Sequence, residues 1–163
     1  MTRYRAATED DRRFVIGTWA SSYKNAHHAG MIASEDWPGI MHRQIEKLMA
    51  RPHVRTIVAY EPPDFLYGFI CGDVSKAVPV VHYVYVKGPY RSQEGNDGRR
   101  SGPRHARGLF AELGVEPART FLYTCRTAIV ARLARDKICL ARFVPAEARY
   151  TNHQEQHERR DDT

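Results

Sequence analysis

The sequence has little cysteine and no long apolar run. Its three cysteines, Cys71, Cys125 and Cys139, form no CxxC pair or other metal-ligand spacing, which predicts reduced structural thiols and no metal centre. No apolar stretch approaches the roughly 20 residues that cross a bilayer. The first residues, MTRYRAATEDDRR, also lack the apolar core of a secretion signal. We therefore expect a cytoplasmic protein without a membrane partner.

The composition is that of one globular domain with excess positive charge. Of 163 residues, 42% are hydrophobic and 27% charged, and the net charge is +6. These values exclude wholesale disorder, and the length is too short for two full domains. The end of the chain, TNHQEQHERRDDT, has no aliphatic or aromatic residue. We predict a single domain over residues 1–150, carrying about +8, and a disordered polar tail over 151–163.

Hydrophobic periodicity and turn residues predict the element order β, α, α, β, β, β, long loop, α, β, α, β. The predicted strands cover 2–7, 54–60, 65–74, 78–87, 120–125 and 138–144. The predicted helices begin near Thr8, Ser34, Arg104 and Thr127, and Gly114 is a predicted left-handed end for the third. This order implies a mixed α/β fold, with a mostly antiparallel central sheet of six to seven strands and helices on both faces.

Several short segments resemble known sequence patterns when they are taken together. They are RAATEDD from Arg5, TIVAY from Thr56, YGFI from Tyr67, YVYV from Tyr83 with PYR after it, and ARGLF from Ala106. In this order, they resemble the GNAT acyltransferase superfamily over most of residues 2–145. The resemblance implies a GNAT-like fold and transfer of an acyl group, acetyl above all, from an acyl-CoA to an amine.

The family's cofactor motif has small residues and free amides that hold the pyrophosphate of coenzyme A at a helix start. Here an insertion separates Tyr90 and Arg91 from Ala106, and Arg104 stands where the motif has Gly or Ala. The inserted loop is rich in arginine, which suits phosphate, although a solvated basic loop without a ligand is the alternative. The resemblance implies acetyl-CoA or another acyl-CoA as cofactor, bound by Val84, Val86, Arg91, Arg99, Arg100, Gly102, Arg104, His105, Ala106 and Arg107.

Three residues are candidates for acid–base chemistry. His82 could act as a base because imidazole titrates near neutrality, although a lone histidine in a strand is commonly a hydrogen-bonded core residue. The resemblance implies a backbone amide near Tyr85 or Val86 that polarises the thioester carbonyl, and a tyrosine acid after the fifth strand. Tyr123 matches that acid loosely, because it lies inside the predicted strand. The predicted catalytic residues are Tyr123, His82 and Tyr85.

The acceptor site of such folds is formed by the first two helices and their connection. Four polar residues there are predicted substrate contacts: Ser22, Tyr23, His27 and His28. Neighbouring histidines cannot easily face one metal ion together, so we assign them no metal.

Three functions remain open from the sequence. The first is an acyl-CoA-dependent N-acyltransferase with a small-molecule or macromolecular amine acceptor. The second is a DNA base-modifying enzyme similar to the phage Mom group, motivated by the basic body and the arginine-rich loop. The third is a catalytically inactive GNAT-like fold that binds nucleic acid or a protein partner.

Overall fold

The computed structural model of the protein describes residues 1–22, 37–91, 104–116, 120–125, 127–135 and 141–143. Within them, six strands form one sheet in sequence order: β1 Arg3–Ala6, β2 Val54–Glu61, β3 Phe65–Asp73, β4 Val80–Val86, β5 Phe121–Tyr123 and β6 Ala141–Phe143. The first four strands pair antiparallel, and β5 and β6 continue the sheet in parallel. This architecture confirms the predicted mixed, mostly antiparallel sheet.

Helices cover both faces of this sheet. They are α1 Glu9–Ser22, α2 Trp37–Met49, α3 Arg104–Leu113 and α4 Ala128–Arg135. Because alternate strand residues point to opposite faces, neighbours Ile57 and Val58 belong to different cores. The α1–α2 core includes Val15, Trp19, Ile45, Val58 and Phe69, and the α3–α4 core includes Ile57, Ile70, Leu109, Phe121 and Ile129.

The start of α1 is fixed by a buried carboxylate. Asp11 accepts hydrogen bonds from the Thr8 backbone N–H (2.8 Å) and hydroxyl (3.0 Å), and it pairs with Arg5. Burial raises the pKa of Asp11, but the bonds from Arg5 and Thr8 outweigh burial and hold the pKa below its ordinary value. The ionised carboxylate therefore ties the end of β1 to the first turn of α1.

The ends of α3 and α4 follow the sequence signals. Gly114 directly after α3 has φ of +91°, the left-handed conformation that glycine adopts readily. The Thr127 hydroxyl accepts a hydrogen bond from the Val130 N–H (3.3 Å), as expected for an N-cap. Both boundaries are confirmed.

The strands on the β5 side are shorter than predicted. Predicted strand 78–87 becomes Val80–Val86, and 120–125 becomes Phe121–Tyr123. Of predicted strand 138–144, the described residues Ala141–Phe143 form a strand. Pro79 has no N–H for the ladder, and the chain leaves the sheet after Tyr123. The predicted cap at Ser34 and the tail lie outside the described residues. Among the helices that are described, none is long and apolar enough to cross a bilayer.

Candidate active site between the fourth and fifth strands

The two edges of β4 are paired very differently. Along one edge, β4 pairs with β3 from Val80 to Val86. Along the other edge, the register with β5 comprises two pairs, Val80 with Leu122 and Val81 with Tyr123. A further backbone hydrogen bond joins the Thr124 N–H to the Val81 carbonyl (3.1 Å). Within the described residues, no strand pairs with this edge of β4 beyond that point. The two strands therefore part beyond Val81.

A β-bulge marks the point where they part. Adjacent β3 residues Cys71 and Gly72 face Tyr83 and Val81, so His82 is the extra residue of β4. Bulges bend a strand and increase its twist. His82 is buried, its Nδ1 lies 3.3 Å from the Thr124 hydroxyl, and that hydroxyl also lies 3.3 Å from the His82 carbonyl. Thr124 thus holds β5 to the bulge.

Beyond the bulge, the free edge of β4 presents backbone polar groups. The Lys87 N–H donates to the Tyr67 carbonyl (2.8 Å), which fixes the alternation of the antiparallel ladder. By that alternation, the peptide groups of Tyr85 face β3, whereas those of Val84 and Val86 face the side that β5 has left. This edge can therefore bind an extended chain that carries amides.

A cleft of about 200 Å³ occupies the space between the parted strands. Its floor is β4, its far wall is the turn after β5 with the start of α4, and the end of α1 closes one side. The lining residues are Ser22, Tyr83, Val84, Tyr85, Val86, Arg91, Cys125, Thr127, Ala128 and Ile129.

Arg91 brings a positive charge to this cleft. Its Nε donates a hydrogen bond to the Val86 carbonyl (2.6 Å), a group on the free edge of β4. Its guanidinium lies 5.3 Å from the centroid of the Tyr85 ring, which adds a cation–π contact. Two contacts to neighbouring β4 residues therefore fix the guanidinium beside the cleft.

Tyr83 is the most buried hydroxyl-bearing residue of the lining. Its ring is 4% exposed and stacks on Trp19, with centroids 4.9 Å apart and an interplanar angle of 17°. Burial raises the pKa of Tyr83, and a hydrogen bond with Ser22 partly offsets that rise. The phenol consequently keeps its proton at neutral pH.

Comparison with known proteins bears on the fold. No family model matches the sequence, and no curated protein matches it significantly. A Pyrococcus furiosus protein named as an acetyl transferase is 12% identical and aligns over 84% of this chain and 91% of its own, with a TM-score of 0.53. The chain therefore has a GNAT-like fold.

A second solved structure gives a weaker superposition. The PaiA N-acetyltransferase from Thermoplasma acidophilum, in complex with coenzyme A, is 14% identical, with coverage of 85% of this chain and 77% of its own and a TM-score of 0.46. At such low sequence identity, structural similarity is evidence for the fold alone. What the GNAT fold does in this chain depends on its own cleft.

The cleft brings together residues from all three predicted groups. Ser22 was expected to contact substrate, Tyr85 to take part in catalysis, and Val84, Val86 and Arg91 to bind cofactor, and all five line the same cavity.

Two predicted catalytic residues lie beside the cleft and outside its lining. His82 is engaged with Thr124 at the bulge. Tyr123 pairs with Val81 inside the sheet and packs against the α3–α4 core. Hydrophobic periodicity could not predict these two positions, because it does not show where the pairing between two parallel strands ends.

The predicted cofactor residues on α3 have different surroundings. Arg104 begins the helix, Ala106 is buried in the core, and Arg107 is exposed. His105 is buried against Tyr67, and burial lowers the pKa of His105. The remaining predicted site residues lie outside the described part of the chain: Tyr23, His27, His28, Arg99, Arg100 and Gly102.

Five lining residues were not among the predicted site residues: Tyr83, Cys125, Thr127, Ala128 and Ile129. The last four share one signal, since they directly follow β5, where the chain turns out of the sheet. Cys125, expected to be a reduced structural thiol, is half-buried against the α1–α2 core and also lines the cleft. Within the described residues, no cluster of three or more His, Cys, Asp or Glu could hold a metal ion.

Proposed function

We propose that this protein is an acyl-CoA-dependent N-acyltransferase that transfers an acyl group, acetyl in the first instance, to an amine. The observation that carries the proposal is the parting of β4 and β5, which leaves a cleft beside an amide-bearing strand edge in a GNAT fold. A cleft of about 200 Å³ suits a narrow thioester arm and a small acyl group.

The free edge of β4 supports binding of the coenzyme. The pantetheine arm of coenzyme A contains two amides, and an extended amide chain can add to an exposed strand edge through main-chain hydrogen bonds. The peptide groups of Val84 and Val86 face this edge. The arm would therefore lie in the place that a longer β5 would fill.

Arg91 supports binding of the phosphates. A guanidinium beside the cleft can donate two hydrogen bonds to a phosphate oxygen pair. Arg91 directly precedes the arginine-rich segment in the chain and already lines the cleft. The contribution of Arg99, Arg100, Gly102 and Arg104 stays a prediction.

The reaction places few chemical demands on the protein. The amine nitrogen attacks the thioester carbonyl carbon, the C–N bond forms, the C–S bond breaks, and the nitrogen loses a proton while the thiolate gains one. A strand-edge N–H of Val84 or Val86 would polarise the carbonyl, and the walls of the cleft would hold the reactants in line. The protonated Tyr83 hydroxyl is a suitable donor to the thiolate, with Tyr85 beside the acceptor.

The acceptor would approach from the α1 side, where Ser22 ends the helix and lines the cleft. Contacts from Tyr23, His27 and His28 stay predictions. DNA modification and an inactive binding fold stay predictions, because the arginine-rich loop that motivates the first and the altered cofactor motif that motivates the second lie mostly outside the described residues.

The test is thermal unfolding of the full chain with and without coenzyme A. Saturating ligand should raise Tm, since a ligand that binds the native state alone stabilises it. Ala128→Phe would place a ring in the cleft mouth and should abolish the rise, whereas Ala111→Phe, on an exposed part of α3, should keep it.

Transfer itself is measured by thiol release from acetyl-CoA with a panel of small amines and lysine peptides. Thiol release that depends on the amine and is lost in Ala128→Phe supports the proposal. No Tm rise at millimolar coenzyme A, or an equal rise in both variants, would overturn it.

A further inference from the structure

The side chain of Arg91 occupies the end of the free β4 edge that lies at Val86. A short 3₁₀ turn, Gly88–Tyr90, folds the chain back towards the strand that it has just left. The Arg91 N–H donates to the Gly88 carbonyl (3.1 Å), which closes this turn. The turn thereby returns the Arg91 side chain to Val86, five residues earlier in the chain.

The contact with Val86 uses a group that a ligand on this edge would also need. The Val86 carbonyl points to the side that β5 has left, and the Arg91 Nε donates a 2.6 Å hydrogen bond to it. A positively charged donor makes a stronger hydrogen bond than a neutral amide N–H does. The amide of an extended ligand therefore has to compete with Arg91 for the Val86 carbonyl.

The Tyr85 ring supports the guanidinium in this position. The guanidinium carbon lies 5.3 Å from the centroid of that ring. The ring itself is held by an edge-on contact with Phe14, at 6.3 Å between centroids, and by a tilted contact with Phe69, at 6.1 Å. Because a cation–π contact adds to the hydrogen bond, a ligand that displaces Arg91 has to break two favourable contacts.

The charge of Arg91 has no counter-charge within the described part of the chain. None of the ion pairs between described residues includes Arg91, and the described lining of the cleft contains no carboxylate. A guanidinium carries five N–H donors, and the bond to Val86 uses one of them. An anion on the ligand can therefore offer Arg91 a partner in exchange for the Val86 carbonyl.

We propose that Arg91 is a specificity-determining residue that favours a thioester donor whose arm ends in phosphate over the same arm without phosphate. This inference rests on the proposed acyl-CoA function and concerns the choice of donor. A phosphate-free arm competes with Arg91 for the strand edge, whereas a phosphate-bearing arm gives the guanidinium a bidentate partner. Arg91 therefore opposes one class of donor and supports the other, and both effects contribute to selectivity.

The test compares coenzyme A with pantetheine, which has the same arm and no phosphate, in calorimetric titrations of the full chain. In Arg91→Ala, coenzyme A should bind about tenfold more weakly, because a charge-assisted contact is lost. Pantetheine should bind about threefold more tightly, because the Val86 carbonyl is released. A residue that only supports the fold would move both affinities in the same direction.

The matched control is Arg55→Ala. Arg55 is also an exposed arginine, it lies on β2, and it does not line the cleft, so its removal should leave both affinities unchanged. If coenzyme A binds the wild-type protein, an unchanged or reduced affinity for pantetheine in Arg91→Ala, or an equal gain in Arg55→Ala, would overturn the inference alone. Failure of coenzyme A to bind the wild-type protein would contradict the proposed function itself, and this inference with it.

Discussion

The two edges of β4 differ in their roles: one is paired with β3 along the strand, and the other borders the cleft. On the β3 edge, the ladder runs from the Asp73–Val80 pair to the Gly68–Val86 pair. On the β5 edge, it ends after Val81, and the same strand becomes the floor of a cleft. One strand can therefore be a central structural element along one edge and a binding surface along the other.

Two glycines of β3 allow close pairing with β4 along the edge that the two strands share. A Cβ on Gly68 would collide with the Tyr85 carbonyl oxygen, and one on Gly72 would lie 2.6 Å from the Val80 carbonyl oxygen. Both atoms belong to the β4 backbone, which cannot move without loss of pairing. On the open edge, the chain after Tyr123 turns away to begin α4.

The substitution with the largest expected effect disrupts the pairing of β4 with β3. Gly68→Ala should destabilise the protein by about 3 kcal/mol, since its methyl group would push β4 away from β3. The measurement is the free energy of unfolding in urea.

Gly17→Ala is the control for that substitution. Gly17 lies inside α1, and a methyl group added there would meet no atom within 4 Å, so alanine should stabilise the helix by about 0.5–1 kcal/mol. Equal destabilisation by the two substitutions would contradict the tight pairing at Gly68.

The second-largest expected effect is a difference in reactivity between a cysteine on β3 and a cysteine in the cleft. Cys71 is fully buried on β3, and burial raises the pKa of Cys71 to about 12, whereas Cys125 is half-buried in the cleft. Because the thiolate is the reactive form, iodoacetamide should modify Cys125 about a hundredfold faster than Cys71. Peptide mass spectrometry resolves the sites.

Coenzyme A makes the same experiment a test of the cleft. It should slow the modification of Cys125 and leave Cys71 unchanged. Faster modification of Cys71 than of Cys125 in the folded protein would reverse the assignment of the two edges.

The smallest expected effect on stability comes from a substitution at the point where β4 and β5 part. Thr124→Val removes the hydroxyl that contacts the His82 ring and carbonyl, at an expected cost of about 1 kcal/mol in the free energy of unfolding. Thr124→Ser keeps that hydroxyl and should recover most of the loss. If valine and serine give the same stability, the hydroxyl does not hold β5 to the bulge.

Much of the fold could be predicted because local signals mark its boundaries. The helix predicted over 104–113 has those ends in the structure, with Gly114 after it, and Thr127 caps the next helix as expected. The run VVHYVYV in β4 shows why other features could not be predicted. It is almost uniformly apolar, so its pattern reveals neither the bulge at His82 nor the end of the pairing with β5.

The candidate site was predictable in part for the same reason. Residues on β4 were identified because they belong to a recognisable strand, and Tyr85 and Val86 line the cleft. Cys125 and Ala128 were missed because they line it only through the turn after β5, which depends on tertiary pairing. His82 was predicted from the chemistry of imidazole and Tyr123 from the family resemblance, and the strand register places both residues beside the lining.

The most direct test of the cleft is amide hydrogen exchange along β4, followed by NMR with and without coenzyme A. In the free protein, the Val84 and Val86 N–H groups should exchange faster than that of Tyr85, which faces β3. Coenzyme A should slow exchange at Val84 and Val86 specifically. Unchanged exchange at both valines under saturating coenzyme A would contradict binding along the free edge of β4.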